Sequence, residues 1–92
     1  MKRAMFIKRV KIGAGDALLY KLSDPVKFGG DRKTSDVIVS AITSPINGQE
    51  IKIAAVFPSD EDGKILSFEH VAETKGTLDH ETPLAELGYE VM

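Results

Sequence analysis

The residues with the greatest capacity for chemistry form one short run near the middle of the chain. They combine two glycines, an arginine beside a lysine, and two hydroxyls: Phe28, Gly29, Gly30, Asp31, Arg32, Lys33, Thr34 and Ser35. Backbone N–H groups around glycine can bind an anion, and arginine can grip a phosphate with two hydrogen bonds. The spacing is not that of a Walker A loop, and the pattern predicts no helix after it. The run therefore predicts an anion-binding loop at most. The interpretation that the pattern favours is a solvated, mobile connection that turns at Gly29-Gly30 and enters a strand at Asp36.

Two further stretches contain groups that could bind a metal or act as an acid or base. Residues 59–64 read SDEDGK and echo part of a calcium loop, but the final bidentate glutamate is missing at the required spacing. An Asp-Gly pair is also what a tight turn between strands needs, and a turn is the favoured interpretation. The histidines are His70 and His80, and His80 lies between Asp79 and Glu81. Because no nucleophile or oxyanion motif accompanies that imidazole, the sequence predicts no catalytic residue, no metal site and no cofactor.

Length and composition indicate a single globular domain that covers residues 1–92. Of the 92 residues, 42% are hydrophobic, 28% are charged and none is cysteine, which excludes disulfides, cysteine zinc sites and thiol nucleophiles. No apolar run approaches the roughly 20 residues that span a bilayer. The chain starts with basic residues like a signal peptide, but Lys8, Arg9 and Lys11 interrupt the apolar segment that would have to follow. We therefore expect a soluble, intracellular protein with no membrane association.

Charge is divided unevenly along the chain. Residues 1–46 contain nine basic and four acidic side chains, and residues 47–92 contain three and ten, so the halves carry net charges of +5 and −7. Such a division indicates two faces of opposite sign or subunits that meet head to tail, unless the charges intermix in the fold. Aromatic residues among the basic ones in the first half would suit a nucleic-acid surface. The overall pI of about 5.6 argues against a nucleic-acid partner.

The apolar pattern predicts five strands. Alternating and β-branched residues indicate the strands, while Pro25, Pro58 and the Asn47-Gly48 pair mark where strands stop or turn. The first two strands form a hairpin around a turn at residues 13–16, and the last three form a meander. The predicted strands are residues 5–12, 17–22, 36–43, 50–57 and 65–68.

One short helix is predicted after the strands. Thr77 or Asp79 would cap its start, its regular part would cover residues 83–87, and Gly88 would end it. Residues 89–92 would then return as an edge strand. The predicted fold class is α+β: a small antiparallel β-sheet or half-open barrel of about five strands, closed by one short C-terminal helix.

Three groups of residues carry a resemblance to a known set of proteins. They are Val39, Ser40 and Ala41; Phe57, Pro58, Ser59, Asp60, Glu61 and Gly63; and Asp79, His80, Glu81, Leu84, Gly88 and Tyr89. With these residues, the chain from Val37 onward resembles small uncharacterised accessory proteins of bacteriophages and prophages. The resemblance implies no reaction. It implies a viral accessory protein, and such proteins commonly bind and neutralise a host component.

Together these features predict a protein that binds without catalysing a reaction. In the first hypothesis it acts in the cytoplasm of a bacterial host, where it sequesters a small anionic ligand such as a host signalling nucleotide, or otherwise neutralises a host defence protein. Arg32 and Lys33 would then grip the anion. Because a domain this small makes a shallow pocket, we expect a homo-oligomer with ligand sites near subunit boundaries. In the second hypothesis the protein is a structural or protein–protein interaction module, such as a virion or assembly accessory, with no small-molecule ligand.

Overall fold

The computed structural model of the protein describes residues 2–12 and 15–92, which form a six-stranded sheet and one short helix. The sheet order is β5-β4-β3-β2-β1-β6, and neighbouring strands are antiparallel except β6, which runs parallel to β1. The predicted fold class, a small antiparallel sheet or half-open barrel with one short C-terminal helix, is confirmed: the sheet is a curled half-barrel, with six strands in place of about five. The elements are β1 (Lys2–Ile12), β2 (Gly15–Phe28), β3 (Arg32–Ile46), β4 (Gln49–Ser59), β5 (Ala72–Lys75), α1 (Glu81–Glu86) and β6 (Tyr89–Val91).

The larger core lies on the sheet face that α1 covers. The helix contacts β4 and β5 at one end of the sheet and β6 at the other, which one short helix can do only if the sheet curls. Leu84 from the helix is fully buried among side chains of the central strands, and it is the anchor of this closure. The buried members of this core are Ala4, Tyr20, Leu22, Val26, Val37, Val39, Val56, Leu84 and Tyr89.

A smaller core lies on the opposite face of the sheet. Ala17, Leu19 and Ile38 are buried there, and Val10 and Ile65 pack against them. The segment that follows β4 folds back over this face, since Ile65 forms an isolated bridge with Ser59 at the end of β4. Both faces of the central strands are therefore covered, as the near-continuous apolarity of β3 indicates.

The acidic stretch at residues 59–64 is a tight turn, as predicted. The Asp60 carboxylate accepts hydrogen bonds from the backbone N–H groups of Asp62 and Lys64, at 3.0 and 2.9 Å. Gly63 has φ +87°, and a Cβ at that position would lie 3.1 Å from the Val10 side chain. Both the backbone conformation and the close approach to β1 therefore require glycine here.

Two strand ends that were predicted from prolines lie further along the chain than expected. The first hairpin is confirmed, although its predicted turn at residues 13–16 includes Gly13 and Ala14, which lie outside the described residues. The prediction that the second strand stops at Pro25 is wrong, because β2 continues through Pro25 to Phe28, where the hairpin turn begins. Its ladder with β3 is interrupted between Lys21 and Val26, so the missing proline N–H costs no ladder bond there. Pro58 likewise lies inside β4, opposite Val37 and beyond the part of β4 that pairs with β5.

The predicted fifth strand at residues 65–68 is also wrong. Only Ile65 forms a bridge, and Phe68 is 78% exposed. The third strand of the meander is instead β5, four residues long, which alternates polar and small side chains and gives almost no apolar signal.

The C-terminal segment follows the predicted pattern closely. The carboxylate of Asp79 accepts hydrogen bonds from the N–H of Glu81 and the hydroxyl of Thr82, both at 3.1 Å, although the N-cap position itself is His80. Gly88 ends the helix with φ +92°, and the predicted edge strand follows it as β6. No helix among the described residues is long and apolar enough to cross a membrane.

Candidate ligand-binding site

The predicted anion-binding run lies at the tip of the hairpin formed by β2 and β3. The loop between the paired residues Phe28 and Arg32 has three residues, and its first two, Gly29 and Gly30, have φ values of +54° and +87°, which glycine adopts readily. The expectation of a connection that lasts until Asp36 is corrected, because β3 already begins at Arg32. Five of the eight predicted loop residues therefore belong to strands: Phe28 ends β2, and residues 32–35 begin β3. We call residues 26–34 the basic hairpin.

Three cations surround the tip of the basic hairpin. Lys27 lies opposite Lys33 in the ladder, and Phe28 lies opposite Arg32. Directly opposed side chains share a sheet face, so the two lysines are neighbours, and like charges there repel each other. The Arg32 guanidinium lies 4.6 Å from the centre of the Phe28 ring, a cation–π contact that orients it. The ion pairs of the described residues neutralise none of the three cations, so an anion at the tip would relieve their repulsion.

A cavity of about 250 Å³ opens beside this tip. One wall is the end of β2 and the glycine turn, and the other is the segment that precedes β5. This second wall places His70 and Glu69 in the same cavity as Lys27. The lining residues are Lys27, Phe28, Gly29, Gly30, Glu69, His70 and Val71.

The cavity combines groups of both charges with an aromatic edge. The Lys27 ammonium is a donor for a phosphate or carboxylate, and the His70 imidazole can donate a further hydrogen bond to it. His70 Nδ1 lies 3.9 Å from a carboxylate oxygen of Glu73. Glu69 can only accept hydrogen bonds when ionised, so it suits a ligand that also presents an amine or hydroxyl. The cavity can therefore accommodate charged and polar groups, and none of the described residues that line it is a serine, threonine or cysteine.

The structure separates the eight predicted site residues into two sets. Phe28, Gly29 and Gly30 line the cavity, whereas the remaining five do not line it. The Thr34 hydroxyl is occupied within the fold: it lies 2.7 Å from the Ser59 carbonyl oxygen, to which it donates, and accepts a 3.1 Å hydrogen bond from the N–H of Asp36. The set that does not line the cavity is Asp31, Arg32, Lys33, Thr34 and Ser35.

Four cavity residues were not predicted from the sequence. Lys27 stands immediately before the predicted run, and its neighbourhood of basic residues was the only signal for it. Glu69, His70 and Val71 come from a segment about 40 positions downstream, and no local pattern links them to the hairpin. The position of this segment depends on a 2.7 Å hydrogen bond that the Val71 N–H donates to the Val56 carbonyl, which holds the segment against β4.

The other groups considered for chemistry form no second site. No group of three or more histidine, aspartate or glutamate residues converges on a metal position within residues 2–12 and 15–92. Tyr20 is almost fully buried beneath the helix start, and its pKa is raised by burial and then by the carboxylates of Glu81 and Asp79. Its phenol therefore stays protonated at neutral pH and is no candidate for a base.

Comparison of the chain with protein-family models, with curated proteins and with solved structures finds no match. The resemblance to bacteriophage accessory proteins consequently stays a prediction.

Proposed function

We propose that the protein is a non-enzymatic binding protein that sequesters a small anionic ligand, such as a host signalling nucleotide, in the cavity of the basic hairpin. One observation carries the proposal: Lys27, the glycine turn and His70 converge on one cavity although they come from distant parts of the chain. Phosphate would contact the lysine and the imidazole, while Glu69 would accept hydrogen bonds from a ribose or an exocyclic amine. In keeping with the resemblance, the protein would act for a bacteriophage in the cytoplasm of its host and neutralise a defence signal.

The size of the cavity favours binding at a boundary between copies. At about 250 Å³ it is smaller than the roughly 300–1,000 Å³ of ordinary ligand pockets. A nucleotide would therefore fill it with one part and leave another part outside. A homo-oligomer in which a second copy covers that part would complete the site.

Calorimetry against cyclic dinucleotides and ADP-ribose derivatives tests the proposal. The double variant Lys27→Ala, His70→Ala should weaken binding by about 100-fold or more, because each of the two hydrogen bonds to a charged group contributes about 1.5–3 kcal/mol. The double variant Arg32→Ala, Lys33→Ala should weaken it less and mainly at low salt, because these cations act from outside the cavity. Lys52→Ala, an exposed lysine on another hairpin, is the matched control and should bind like the native protein.

Two results would contradict the proposal. The first is that no compound of either class binds. The second is that a bound compound keeps its affinity in the Lys27→Ala, His70→Ala variant, since the ligand would then lie elsewhere.

A second candidate function, a structural or protein–protein interaction module, is favoured by an uncovered apolar surface. Residues 42–46 of β3 and 49–52 of β4 pair with each other, while the ladder to β2 ends at Ala41 and that to β5 at Ile53. Beyond Ile53, the Gly76 N–H donates one 2.7 Å hydrogen bond to the Lys52 carbonyl. We call residues 42–53 the isoleucine hairpin. Four isoleucines occupy one of its faces, and Ile42 and Ile46 are each 41% exposed. A two-stranded hairpin needs its apolar face covered to be stable, and a second copy of the chain could cover it.

A further inference from the structure

The outer edge of β1 is open along most of its length. β6 covers only the first three residues of the strand, where Lys2 lies opposite Tyr89 and Ala4 opposite Val91. The N–H of Met92 donates a 2.9 Å hydrogen bond to the Ala4 carbonyl and extends this contact by one residue. Beyond Ala4, no described strand lies beside β1 on that side. Its outward N–H and C=O groups form a template to which another extended segment can add.

The open edge is apolar at its start. Met5, Phe6 and Ile7 are 54%, 47% and 47% exposed, although natural edge strands usually avoid exposed apolar runs. The ladder of β1 with β2 shifts register between Phe6 and Lys8, so Ile7 lies at a bulge. Bulges are common at sheet edges, where they redirect side chains.

An apolar cavity adjoins this part of the edge. It has a volume of about 230 Å³ and lies where the open edge begins, directly after β6 ends. Met5, Leu22 and Met92 provide its apolar walls, so an apolar side chain of an added strand could insert there. The full lining is Arg3, Met5, Lys21, Leu22, Ser23 and Met92.

The charge of β1 decides which kind of segment fits. The strand contains five basic residues and no acidic one: Lys2, Arg3, Lys8, Arg9 and Lys11. Two copies of β1 side by side would oppose these like charges, which disfavours pairing of the edge with itself. An acidic segment would instead gain from the same charges.

We propose that the open edge of β1 binds an extended acidic segment of a partner protein, which adds to the sheet as a seventh strand. The partner strand hydrogen-bonds to the backbone beyond Ala4 and inserts an apolar side chain between Met5 and Met92. It places carboxylates near Lys8 on one face of the sheet and near Lys11 on the other. This surface is separate from the cavity of the basic hairpin, so the proposal does not depend on the proposed ligand.

Fluorescence polarisation tests the proposal with a labelled extended peptide that has leucines at one end and consecutive glutamates, hence carboxylates on both faces, at the other. The peptide should bind the native protein, and the double variant Lys8→Glu, Lys11→Glu should bind it at least about tenfold more weakly. Met5→Ser should weaken binding several-fold by removing a wall of the apolar cavity. Lys33→Glu, which changes charge at the basic hairpin, is the control and should bind the peptide as well as the native protein. Each of these residues is exposed, so the variants should fold, and their melting temperatures check this.

Two control probes separate strand addition from simple charge attraction. The same peptide with alternate backbone nitrogens methylated keeps its charge but loses half of its N–H donors, and it should not bind. A single-stranded oligonucleotide should bind more weakly than the acidic peptide. The proposal is overturned if the peptide does not bind, if the methylated or nucleic-acid probe binds equally well, or if native protein self-associates in a way that the Lys8→Glu, Lys11→Glu variant abolishes.

Discussion

The basic hairpin and the isoleucine hairpin lie at opposite ends of β3, and each turn contains two consecutive residues with positive φ, although the first loop has three residues and the second has two. Gly29 and Gly30 have φ values of +54° and +87°, and Asn47 and Gly48 have +52° and +78°. The side chains around the turns differ in every other respect. The basic hairpin carries three cations beside a polar cavity, whereas one face of the isoleucine hairpin carries no charge.

This contrast shows that a tight turn determines strand register but not the function of a hairpin. At the basic hairpin, a second segment packs beside the tip and closes a cavity, on which the proposed ligand site depends. At the isoleucine hairpin no described segment does so, and the apolar residues remain partly exposed. The first end is therefore suited to a small charged ligand, and the second to another protein surface.

The largest expected difference concerns isoleucines on the same face of β3. Ile38 is fully buried, and Ile38→Ala should lower the free energy of unfolding by about 3 kcal/mol, since it leaves a cavity in the core. Ile46 is 41% exposed, and Ile46→Ala should cost about 1 kcal/mol or less. Urea unfolding at low protein concentration measures both values.

The same pair of variants tests self-association. If two copies bury the isoleucine hairpin, the cost of Ile46→Ala should rise with protein concentration, and sedimentation should show an oligomer that persists at high salt. Thr43→Ala, on the opposite face of this hairpin, is the control. An oligomer that dissociates as salt is added would indicate assembly through the unequal charges of the two chain halves instead.

A smaller effect is expected from the paired substitutions Gly30→Ala and Gly48→Ala. A Cβ at either position meets no atom within 4 Å, so each substitution adds only the strain of a positive φ, about 1–2 kcal/mol. Their effects on unfolding should therefore match. Binding of an anionic ligand should weaken only in Gly30→Ala, because Gly30 lines the cavity and Gly48 does not. If both variants bind the ligand equally well, the ligand site does not include the glycine turn.

The sequence predicted the parts of this fold that depend on local chemistry. Asn47-Gly48, Gly63 and Gly88 all occupy the positive-φ positions expected of a hairpin turn, a tight turn and a helix end. The apolar strand at residues 36–43, which lies within β3, and the C-terminal helix with its edge strand were also predicted. In each case, neighbouring residues contain all the necessary information.

The remaining features depend on contacts between distant residues. β5 is held in the sheet by its partner strand and has little β signal of its own. Pro25 was interpreted as a strand end, yet the ladder is interrupted around it and the strand continues. Half of the candidate cavity comes from residues 69–71, which pack beside the hairpin only in the folded chain. The predicted run identified the correct turn and missed the opposing wall.

The smallest expected effect concerns how the basic hairpin is attached to the rest of the molecule. The Tyr89 hydroxyl donates a 2.6 Å hydrogen bond to the Asp24 carbonyl, which lies where β2 and β3 are not paired. Tyr89→Phe should therefore cost about 1 kcal/mol. Amide hydrogen exchange should become faster in residues 26–34, while exchange in residues 42–53 stays unchanged.

Alkaline pH gives an independent measure of the same contact. Burial, and then the nearby Asp24 carboxylate, raise the pKa of Tyr89 above its ordinary value of 10.0. A phenol whose pKa is higher in the folded state binds its proton more tightly there than in the unfolded chain. The stability that this phenol contributes to the folded state is thus fully present below about pH 10, and it is lost as the pH rises through the folded-state pKa. The stability of the native protein should fall more steeply above pH 10 than that of Tyr89→Phe. Parallel pH profiles would show instead that this hydroxyl does not hold the basic hairpin, which would then be as independent of the C-terminal strand as the isoleucine hairpin is.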